Sequence, residues 1–506
     1  MPPDTQSPPY ADQDPIEKLD VLIVGAGLSG IDAACRLTMH CPQKKWAIVE
    51  ARDRIGGTWD LFRYPGIRSD SDMHTLGFPF RPWKGKAAIA DGPAIRDYIE
   101  DTARAYGLMS HIRFNCRVTA ANWSSDEQAW TVTLSTPDGD RRVRCAFLYL
   151  CSGYYRYDRG FAPDFPGADS FGGRIVHPQH WPQDLPLAGR RVIVIGSGAT
   201  AVTLVPALAE RGAQVTMLQR SPTYIVSRPR HDGLADRLYR WLPDGPASAL
   251  VRWKYIGWSL LTYRLAKRRP EQVKRHIIEA IRAALGSGID VDRHFTPAYA
   301  PWDQRVCLVP DGDLFAALKT GRAGIVTGRI TGFTSDGIRL ETGEELPADI
   351  IVTATGLEMR LLGGAELRVD GVPVDLADRL VYRGMMLGDV PNLALAFGYV
   401  NASWTLKCDL TARQVCRLLN HMDRQGLTVC VPRSATAGPG REPLLGFNSG
   451  YVLRAAPHLP AQGENPPWRV HQNYLADLAS FHLSGPADGT LAFHGPGRTR
   501  PDGDTP

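Results

Sequence analysis

The chain has 506 residues, of which 43% are hydrophobic and 22% charged, as in soluble globular proteins. Its length predicts two or three domains. The net charge of +5 is too small to indicate nucleic-acid binding, and the nine cysteines form no CxxC pair, so neither a disulfide framework nor a metal site is predicted.

The two ends of the chain have the composition of disordered tails. Residues 1–17 and 485–506 are rich in Pro, Gly and charged residues, and we predict both to be disordered. Residues 1–17 lack the apolar core of a signal peptide, and no apolar run reaches the length of about 18 residues that a transmembrane helix needs. The sequence therefore predicts a cytoplasmic protein.

The first predicted element is an apolar strand that runs into a glycine turn, Gly25-Ala-Gly27-Leu-Ser29-Gly30, and then into a helical pattern. The second glycine allows a pyrophosphate to approach the backbone, and the helix N-terminus offers free N–H groups. Glu50 ends the next apolar run, where an acid accepts hydrogen bonds from ribose hydroxyls. This pattern predicts an FAD site.

A second glycine turn repeats the pattern with one decisive change. It reads Gly196-Ser197-Gly198-Ala199-Thr200-Ala201-Val202, and the apolar run that follows ends at Arg220. Alanine is an allowed variant at the third glycine position, and an arginine in place of the acid suits a 2′-phosphate. The second turn therefore predicts an NADPH site.

Each glycine turn is followed much later by an apolar strand that ends in a small residue and glycine, at Gly153 and at Gly356. We therefore predict an α/β fold with two Rossmann-like dinucleotide-binding domains, the NADPH domain being inserted in the FAD domain. The FAD domain is predicted to comprise residues 18–155 and 357–484, and the NADPH domain residues 156–356.

Residues 230–290 interrupt the α/β alternation and are predicted to form a helical insert. Between Arg252 and Arg282 lie nine Lys or Arg and two Glu, which gives this stretch a charge of +7. Aromatic residues are interleaved with these cations. The insert is either a solvated helical region whose aromatic side chains pack inward, or a peripheral membrane contact.

The segment between the two domains contains Phe171, Gly173, His177 and Trp181-Pro182 at a characteristic spacing. It resembles the FxGxxxHxxxW(P/D) fingerprint of Type I Baeyer–Villiger monooxygenases. Residues 56–72, 301–305 and 401–407 are similar to motifs of the subgroup that contains the mycobacterial ethionamide-activating monooxygenase. The resemblance covers residues 18–475.

This resemblance implies the activity. An enzyme of this family uses NADPH and O2 to insert one oxygen atom beside a ketone carbonyl by way of a flavin C4a-peroxide. The product is an ester or lactone, and thioethers are also oxidised to sulfoxides. The implied partners are therefore a small ketone or thioether, O2, FAD and NADPH.

The resemblance also implies the site. Arg305 matches the active-site arginine, and a fixed cation stabilises the developing negative charge in a dry pocket. Asp70, in preference to Asp72, matches the acid that pairs with it. The remaining FAD contacts are expected at Thr58, Trp59, Asp60, Leu61 and Val118, and the remaining NADP contacts at Arg68, Ser69 and Ser221. His177 is expected to couple NADPH binding to the placement of the domains, and Trp181 is expected to be a packing anchor. Trp404 is expected either to face the substrate or to pack in the core.

Three other functions are compatible with parts of this pattern. A disulfide reductase would need a redox cysteine pair, which Cys35 and Cys41 do not provide by their spacing. An N- or S-oxidising flavin monooxygenase shares both nucleotide sites but usually lacks the terminal Trp-Pro of the fingerprint. A non-catalytic NADPH sensor would require neither Asp70 nor Arg305.

Overall fold

The computed structural model describes residues 16–85, 87–436, 440–446, 448–483, 485 and 488–497. The strands of these residues are β1 Glu17–Val24, β2 Trp46–Val49, β3 Ile112–Arg113, β4 Arg117–Ser124, β5 Ala129–Thr136, β6 Gly139–Leu150, β7 Arg174–Val176, β8 Arg191–Ile195, β9 Gln214–Gln219, β10 Ile225–Arg228, β11 Cys307–Pro310, β12 Ala323–Thr327, β13 Ile330–Thr334, β14 Gly337–Leu340, β15 Glu345–Pro347, β16 Ile350–Thr353, β17 Glu366–Val369, β18 Val372–Pro373, β19 Val381–Tyr382, β20 Met386–Leu387, β21 Leu393–Leu395, β22 Val429–Pro432, β23 Glu442–Pro443, β24 Ala461–Gln462 and β25 Leu491–His494.

The α-helices are distributed along the whole described chain. They are α1 Leu28–His40, α2 Thr58–Leu61, α3 Met73–Leu76, α4 Gly92–Ala105, α5 Ala199–Glu210, α6 Gly233–Trp241, α7 Asp244–Arg268, α8 Pro270–Leu285, α9 Val291–Phe295, α10 Asp313–Lys319, α11 Trp404–Gln425, α12 Gly450–Ala455 and α13 Tyr474–Leu483. Helices α6, α7 and α8 occupy the predicted helical insert. Among the described helices, none combines the length and the hydropathy that crossing a membrane requires.

The larger sheet is built from both ends of the chain. Its order is β18-β17-β4-β5-β6-β1-β2-β3, and β21 also pairs with β6. Strands β1, β2, β3 and β6 pair in parallel, whereas β4, β5 and β6 form an antiparallel meander. The chain leaves this sheet after β6 and returns to it at β17.

The segment in between forms a second sheet of five parallel strands in the order β12-β9-β8-β16-β7. Strand β8 lies beside β9 on one side and β16 on the other, and a short antiparallel meander, β13-β14-β15, precedes β16. The fold is therefore the predicted α/β arrangement with two Rossmann-like sheets.

Apolar residues in continuous runs explain why these strands lie at the centre of their sheets. Val21, Leu22 and Ile23 in β1 are fully buried, as is Val194 in β8. Helices cover both faces of a parallel sheet, so such strands carry apolar side chains on both sides. The two sheets consequently have separate apolar cores.

The prediction of a disordered C-terminal tail is wrong for part of residues 485–506. Strand β25 lies in this range and pairs antiparallel with β22. Leu491 is buried and Phe493 packs against the main core. The apolar residues of β25 therefore order this segment, although the residues around it have the composition of a disordered tail. At the other end, β1 already begins at Glu17. Residues 1–15 and 498–506 of the predicted tails lie outside the described residues.

Candidate active site

A cleft of about 470 Å³ lies at the carboxyl ends of the parallel strands of the larger sheet and is also lined by the first residues of α5. This is the edge at which doubly wound α/β proteins bind ligands, and the volume is in the range of ligand pockets. Thirteen of the residues predicted as site residues line this cleft: Gly25, Gly27, Ser29, Glu50, Thr58, Trp59, Arg68, Ser69, Asp70, Val118, Ala199, Thr200 and Arg305.

The first glycine turn leaves bare backbone facing the cleft. Gly25 has a φ of +104°, and a side chain on Gly30 would lie 1.8 Å from the Gly25 carbonyl oxygen. Gly30 thus permits α1 to pack on the turn and does not line the cleft. A side chain on Gly57 would lie 3.1 Å from the Cα of Gly27, so these two glycines allow the loops to approach closely. The turn fits the pyrophosphate of FAD.

Glu50 lies beside this turn because β1 and β2 are parallel neighbours. Its carboxylate accepts hydrogen bonds from the backbone N–H of Ala26 at 2.7 Å and of Arg52 at 3.0 Å. Burial raises the pKa of Glu50 above its usual value, and the two N–H groups oppose that shift. A carboxylate has about four lone-pair sites, so Glu50 retains acceptors for ribose hydroxyls. The acid therefore fits the role predicted for it.

The second glycine turn faces open space at Gly198. Among the described residues, no atom lies within 4 Å of the position that a side chain on Gly198 would occupy. Ala201 and Val202 are fully buried and hold α5 against its sheet. Gly196, whose φ is +130°, donates its N–H to the Leu218 carbonyl at 2.8 Å, which brings the end of β9 beside the turn.

Arg220 follows β9 at this same edge. Its side chain is exposed, and no ion pair of Arg220 occurs within the part of the chain that the structure describes. Ser197 donates its hydroxyl to the Ser221 carbonyl at 3.2 Å, so the glycine turn and the residue after Arg220 are in contact. An unpaired guanidinium beside an open glycine turn fits a 2′-phosphate.

Arg305 and Asp70 come together in the cleft. Arg305 Nη1 donates to Asp70 Oδ2 at 2.8 Å. The Asp70 carboxylate raises the pKa of Arg305 well above its usual value, and burial opposes this shift. The guanidinium is therefore a fixed positive charge at the wall of the cleft.

The neighbours of Asp70 have other partners. Asp72 caps α3, where its carboxylate accepts from the Thr75 N–H at 2.8 Å. Arg68 forms an ion pair with Asp313 of α10, and the Ser69 hydroxyl donates to the Ser71 carbonyl at 2.6 Å. Asp70 is thus the acid of this loop that reaches Arg305, whereas Asp72 has a local structural role.

Helix α2 contains the four residues that the sequence assigns to the flavin, but it directs only two of them toward the cleft. Thr58 and Trp59 line the cleft, but Asp60 and Leu61 do not. Asp60 is buried and accepts hydrogen bonds from Arg52 and from Arg63, the latter at 2.9 Å. Leu61 packs against the core of the second sheet. Successive residues of a helix point about 100° apart, so one short helix cannot direct all four toward one ligand.

Trp404, Tyr154 and Tyr155 form an aromatic wall of the cleft, of which only Trp404 was named from the sequence. Trp404 lines the cleft, donates its Nε1–H to Ser29 Oγ at 2.8 Å, and packs against Tyr154 with ring centroids 5.0 Å apart. The hydroxyl groups of Tyr154 and Tyr155 are 3.0 Å apart. Sequence reasoning missed both tyrosines, although their position just after β6, at the ligand-binding edge of the sheet, was a usable signal.

The fingerprint residues lie outside the cleft. His177 Nδ1 accepts from the Gln179 N–H at 3.2 Å, and His177 Nε2 donates to the Gly356 carbonyl at 3.3 Å. The imidazole is therefore neutral, and burial lowers the pKa of His177. Phe171 and Trp181 are buried, and a side chain on Gly173 would lie 2.3 Å from the Asp349 carbonyl oxygen. These residues pack the segment that connects the two sheets against the second sheet.

The cysteines form no redox pair. All nine, including Cys35 and Cys41, are free thiols, and burial raises the pKa of Cys35. A reactive cysteine needs a lowered pKa and access to solvent.

Sequence comparison identifies the family. A flavin-binding monooxygenase-like family model matches residues 87–240, and a NAD(P)-binding Rossmann-like domain model matches residues 23–86. FAD-containing monooxygenase EthA of Mycobacterium tuberculosis is 53% identical over 463 residues, which cover 91% of this chain and 95% of that protein. The chain belongs to the FAD-containing monooxygenase family.

A second relative of this monooxygenase is the probable FAD-binding monooxygenase AlmA of Acinetobacter baylyi. It is 47% identical over 478 residues, or 94% of this chain and 96% of that protein. These relatives confirm the prediction of a flavin monooxygenase.

Two solved structures share the fold of the monooxygenase. An oxidized steroid monooxygenase bound to NADP has a TM-score of 0.75 at 23% identity, with coverage of 94% of this chain and 100% of that one. A cyclohexanone monooxygenase with ε-caprolactone bound has a TM-score of 0.71 at 20% identity, with the same coverage. Both confirm the predicted fold class.

Proposed function

We propose that this monooxygenase catalyses Baeyer–Villiger oxidation, inserting one oxygen atom next to a ketone carbonyl to give an ester or lactone. The observation that carries the proposal is the Arg305–Asp70 ion pair in a cleft that is lined by the first glycine turn and by the first residues of α5, which follow the second turn. FAD and NADPH are its cofactors, with FAD held at Gly25–Gly30 and Glu50, and NADPH held at Gly196–Ala201 and Arg220.

FAD, when bound, would supply the redox chemistry by which electrons pass from NADPH to dioxygen. Arg305 supplies a positive charge where a carbonyl oxygen becomes negative during attack. A guanidinium does not lose its proton in proteins, so Arg305 carries out this role throughout the reaction. A fixed donor of this kind contributes about 3–4 kcal/mol to lowering the barrier in other enzymes.

Asp70 positions the guanidinium of Arg305 and offsets part of its charge. The 2.8 Å hydrogen bond restricts the orientation of the Arg305 side chain. Trp404 and Tyr154 pack together as an apolar wall of the cleft, which would exclude water beside bound FAD. Exclusion of water strengthens the interaction between Arg305 and a developing oxyanion.

Oxidation of a thioether to a sulfoxide is a second activity that we propose for the same cleft. A sulfur lone pair attacks the activated oxygen directly and forms no oxyanion on the substrate. Thioether oxidation should therefore depend less on Arg305 than ketone oxidation does. The two activities consequently provide an internal comparison within one enzyme.

The experiment is product analysis with isotope-labelled dioxygen. Purified protein with bound FAD is incubated with NADPH, a medium-chain methyl ketone and labelled dioxygen, and the products are identified by mass spectrometry. An ester that carries one labelled oxygen supports the proposal, and a parallel reaction in labelled water should give an unlabelled ester. NADPH oxidation that yields hydrogen peroxide but no ester with any ketone of a graded series, while an added thioether gives sulfoxide, contradicts it.

A further inference from the structure

The helical insert exposes an unusual amount of apolar surface. Seven of the thirteen exposed large apolar side chains of the described residues lie between Leu234 and Leu265. The most exposed of the seven is Trp241, at 80%. Clustered exposed apolar residues mark interaction surfaces, whereas scattered ones do not.

Most of these side chains lie on one face of α7. Leu250, Trp253, Trp258, Leu261 and Leu265 are between 41% and 52% exposed, and we call them the outer face of α7. Their spacing of three to five residues repeats with the helical period. This face extends about 22 Å along the helix. Trp253 and Trp258 thus do not follow the alternative in which the aromatic side chains of the insert pack inward. Tyr255 and Tyr263 do follow it, since each packs against another ring.

The opposite face of α7 is buried against the wall of the active-site cleft. Ile256 packs with Tyr399 and Leu406, and the Ser259 hydroxyl donates to the Asn401 carbonyl at 3.4 Å. Tyr399 and Ala402, which flank Asn401, line the cleft. Helix α7 therefore lies between the outer face and the cleft, so the two are separated by about one helix diameter, ~10 Å.

Unpaired cations accompany the outer face. Arg264 and Arg268 are exposed, lie on the same side of α7 by their spacing, and have no ion pair among the described residues. On the flanks, by contrast, Lys254 pairs with Asp232 and Lys267 pairs with Asp303. The free positive charge is thus concentrated beside the apolar side chains.

We propose that the outer face of α7 docks on an anionic lipid surface. Tryptophan and leucine flanked by arginine is the composition of helices that lie in the membrane interface. Anionic headgroups attract such cations within a Debye length of the surface. Docking brings lipid to within one helix of the cleft wall.

A second copy of the chain is a poorer occupant of this face. The single acidic residue of α7 is Asp244, and it already pairs with Lys84. Two copies packed through α7 would therefore offer Arg264 and Arg268 no acidic partner. The proposal rests on the surface of α7 and is independent of which substrate is oxygenated.

The test is vesicle flotation of the FAD-bound enzyme. Vesicles of equimolar phosphatidylglycerol and phosphatidylcholine are compared with vesicles of phosphatidylcholine alone, at low and high salt. The expected result is binding to the anionic vesicles that weakens with salt. The double variant Trp258→Gln, Leu261→Gln should bind at least about tenfold more weakly, because each side chain contributes apolar area to the contact.

Two further variants make the result specific. Arg264→Gln, Arg268→Gln should lower binding to anionic vesicles and reduce its salt dependence. Val372→Gln, Leu483→Gln removes two apolar side chains that are 66% and 86% exposed elsewhere, and it should bind like wild type. All substituted side chains are exposed, so each variant should keep its FAD absorbance.

Three outcomes would overturn the proposal. The first is that wild type stays unbound with anionic vesicles. The second is that the control variant at Val372 and Leu483 loses as much binding as the variant at Trp258 and Leu261. The third is that the substitutions on α7 change the sedimentation coefficient in solution without changing vesicle binding, which would assign the face to a second copy.

Discussion

The Arg305 guanidinium and the Asp70 carboxylate form a 2.8 Å ion pair although 235 residues separate them along the chain. Asp70 belongs to the loop before α3, and Arg305 precedes β11. Gly66 allows this loop to approach helix α5 of the second sheet, because a side chain on Gly66 would lie 2.7 Å from the Ala207 Cβ in α5. This ion pair therefore forms only when the two parts of the fold are packed together.

Substitution Asp70→Asn should slow ketone oxidation without removing FAD. The amide keeps the size of the side chain but loses the charge that holds and partly neutralises Arg305. We expect a fall in kcat of about tenfold, equivalent to about 1.4 kcal/mol. Steady-state kinetics with the ketone measures it. Glu345→Gln, which breaks the exposed ion pair with Arg339, should leave kcat unchanged; equal losses in both variants would contradict the role of Asp70.

Gly30 in the first glycine turn and Gly198 in the second should respond differently to an added methyl group. Gly30→Ala places a side chain 1.8 Å from the Gly25 carbonyl oxygen, so the variant should lose bound FAD and unfold at lower temperature. Gly198→Ala meets no protein atom within 4 Å, so it should retain FAD and thermal stability but raise KM for NADPH. FAD absorbance, thermal unfolding and the kinetics of NADPH oxidation measure the three quantities. A stable Gly198→Ala enzyme with an unaltered KM would contradict this position of the NADPH pyrophosphate.

Arg220 should set the preference for NADPH over NADH. Arg220→Ala removes the charge that we assign to the 2′-phosphate, so kcat/KM for NADPH should fall by at least about tenfold while that for NADH changes little. Arg322→Ala is the matched control, because Arg322 is also exposed and, among the described residues, donates only to the Thr320 hydroxyl. An unchanged ratio of the two coenzymes in the Arg220 variant would disprove the assignment.

His74 should make the fold less stable below neutral pH. It lies beside Tyr239 and Tyr255, and burial lowers the pKa of His74 from 6.5 to about 4. The unfolded chain binds the proton more readily, so this stability is present above pH 6.5 and is lost as the pH falls toward 4. The full shift corresponds to at most about 3 kcal/mol.

The variant His74→Phe isolates this effect because the aromatic ring remains but no longer titrates. Its thermal unfolding midpoint should match that of wild type at neutral pH and exceed it increasingly as the pH is lowered toward 4. His458→Phe, at an exposed position, provides the control. Parallel midpoints for wild type and His74→Phe across this pH range would show that His74 does not carry the pH dependence.

The glycine turns, their polar partners and the helical insert could be predicted from sequence because each rests on a local pattern. Gly27 and Glu50 need only a strand, a turn and a neighbouring strand to be placed. Asp70 could be separated from Asp72 by the resemblance to a family, and Asp72 has its own local signature as the residue before a short helix.

Other features depend on long-range packing and could not be predicted. Whether Trp253 and Trp258 face inward or outward depends on what covers α7, which the spacing of apolar residues alone does not reveal. The hydrogen bond from Trp404 to Ser29 joins residues 375 positions apart. The strand Leu491–His494 could not be predicted, because the residues around it have the composition of a disordered tail. It forms by pairing with β22, which is a long-range contact.

The most direct test of the central claim compares wild type with Arg305→Ala in the labelled-dioxygen assay, with ester, sulfoxide and hydrogen peroxide measured per NADPH consumed. The FAD-bound variant should form ester at least about a hundredfold more slowly, whereas thioether oxidation should decline less and hydrogen peroxide should rise. If the variant retains bound FAD and forms labelled ester at the wild-type rate, Arg305 does not stabilise the oxyanion and the proposed mechanism is wrong.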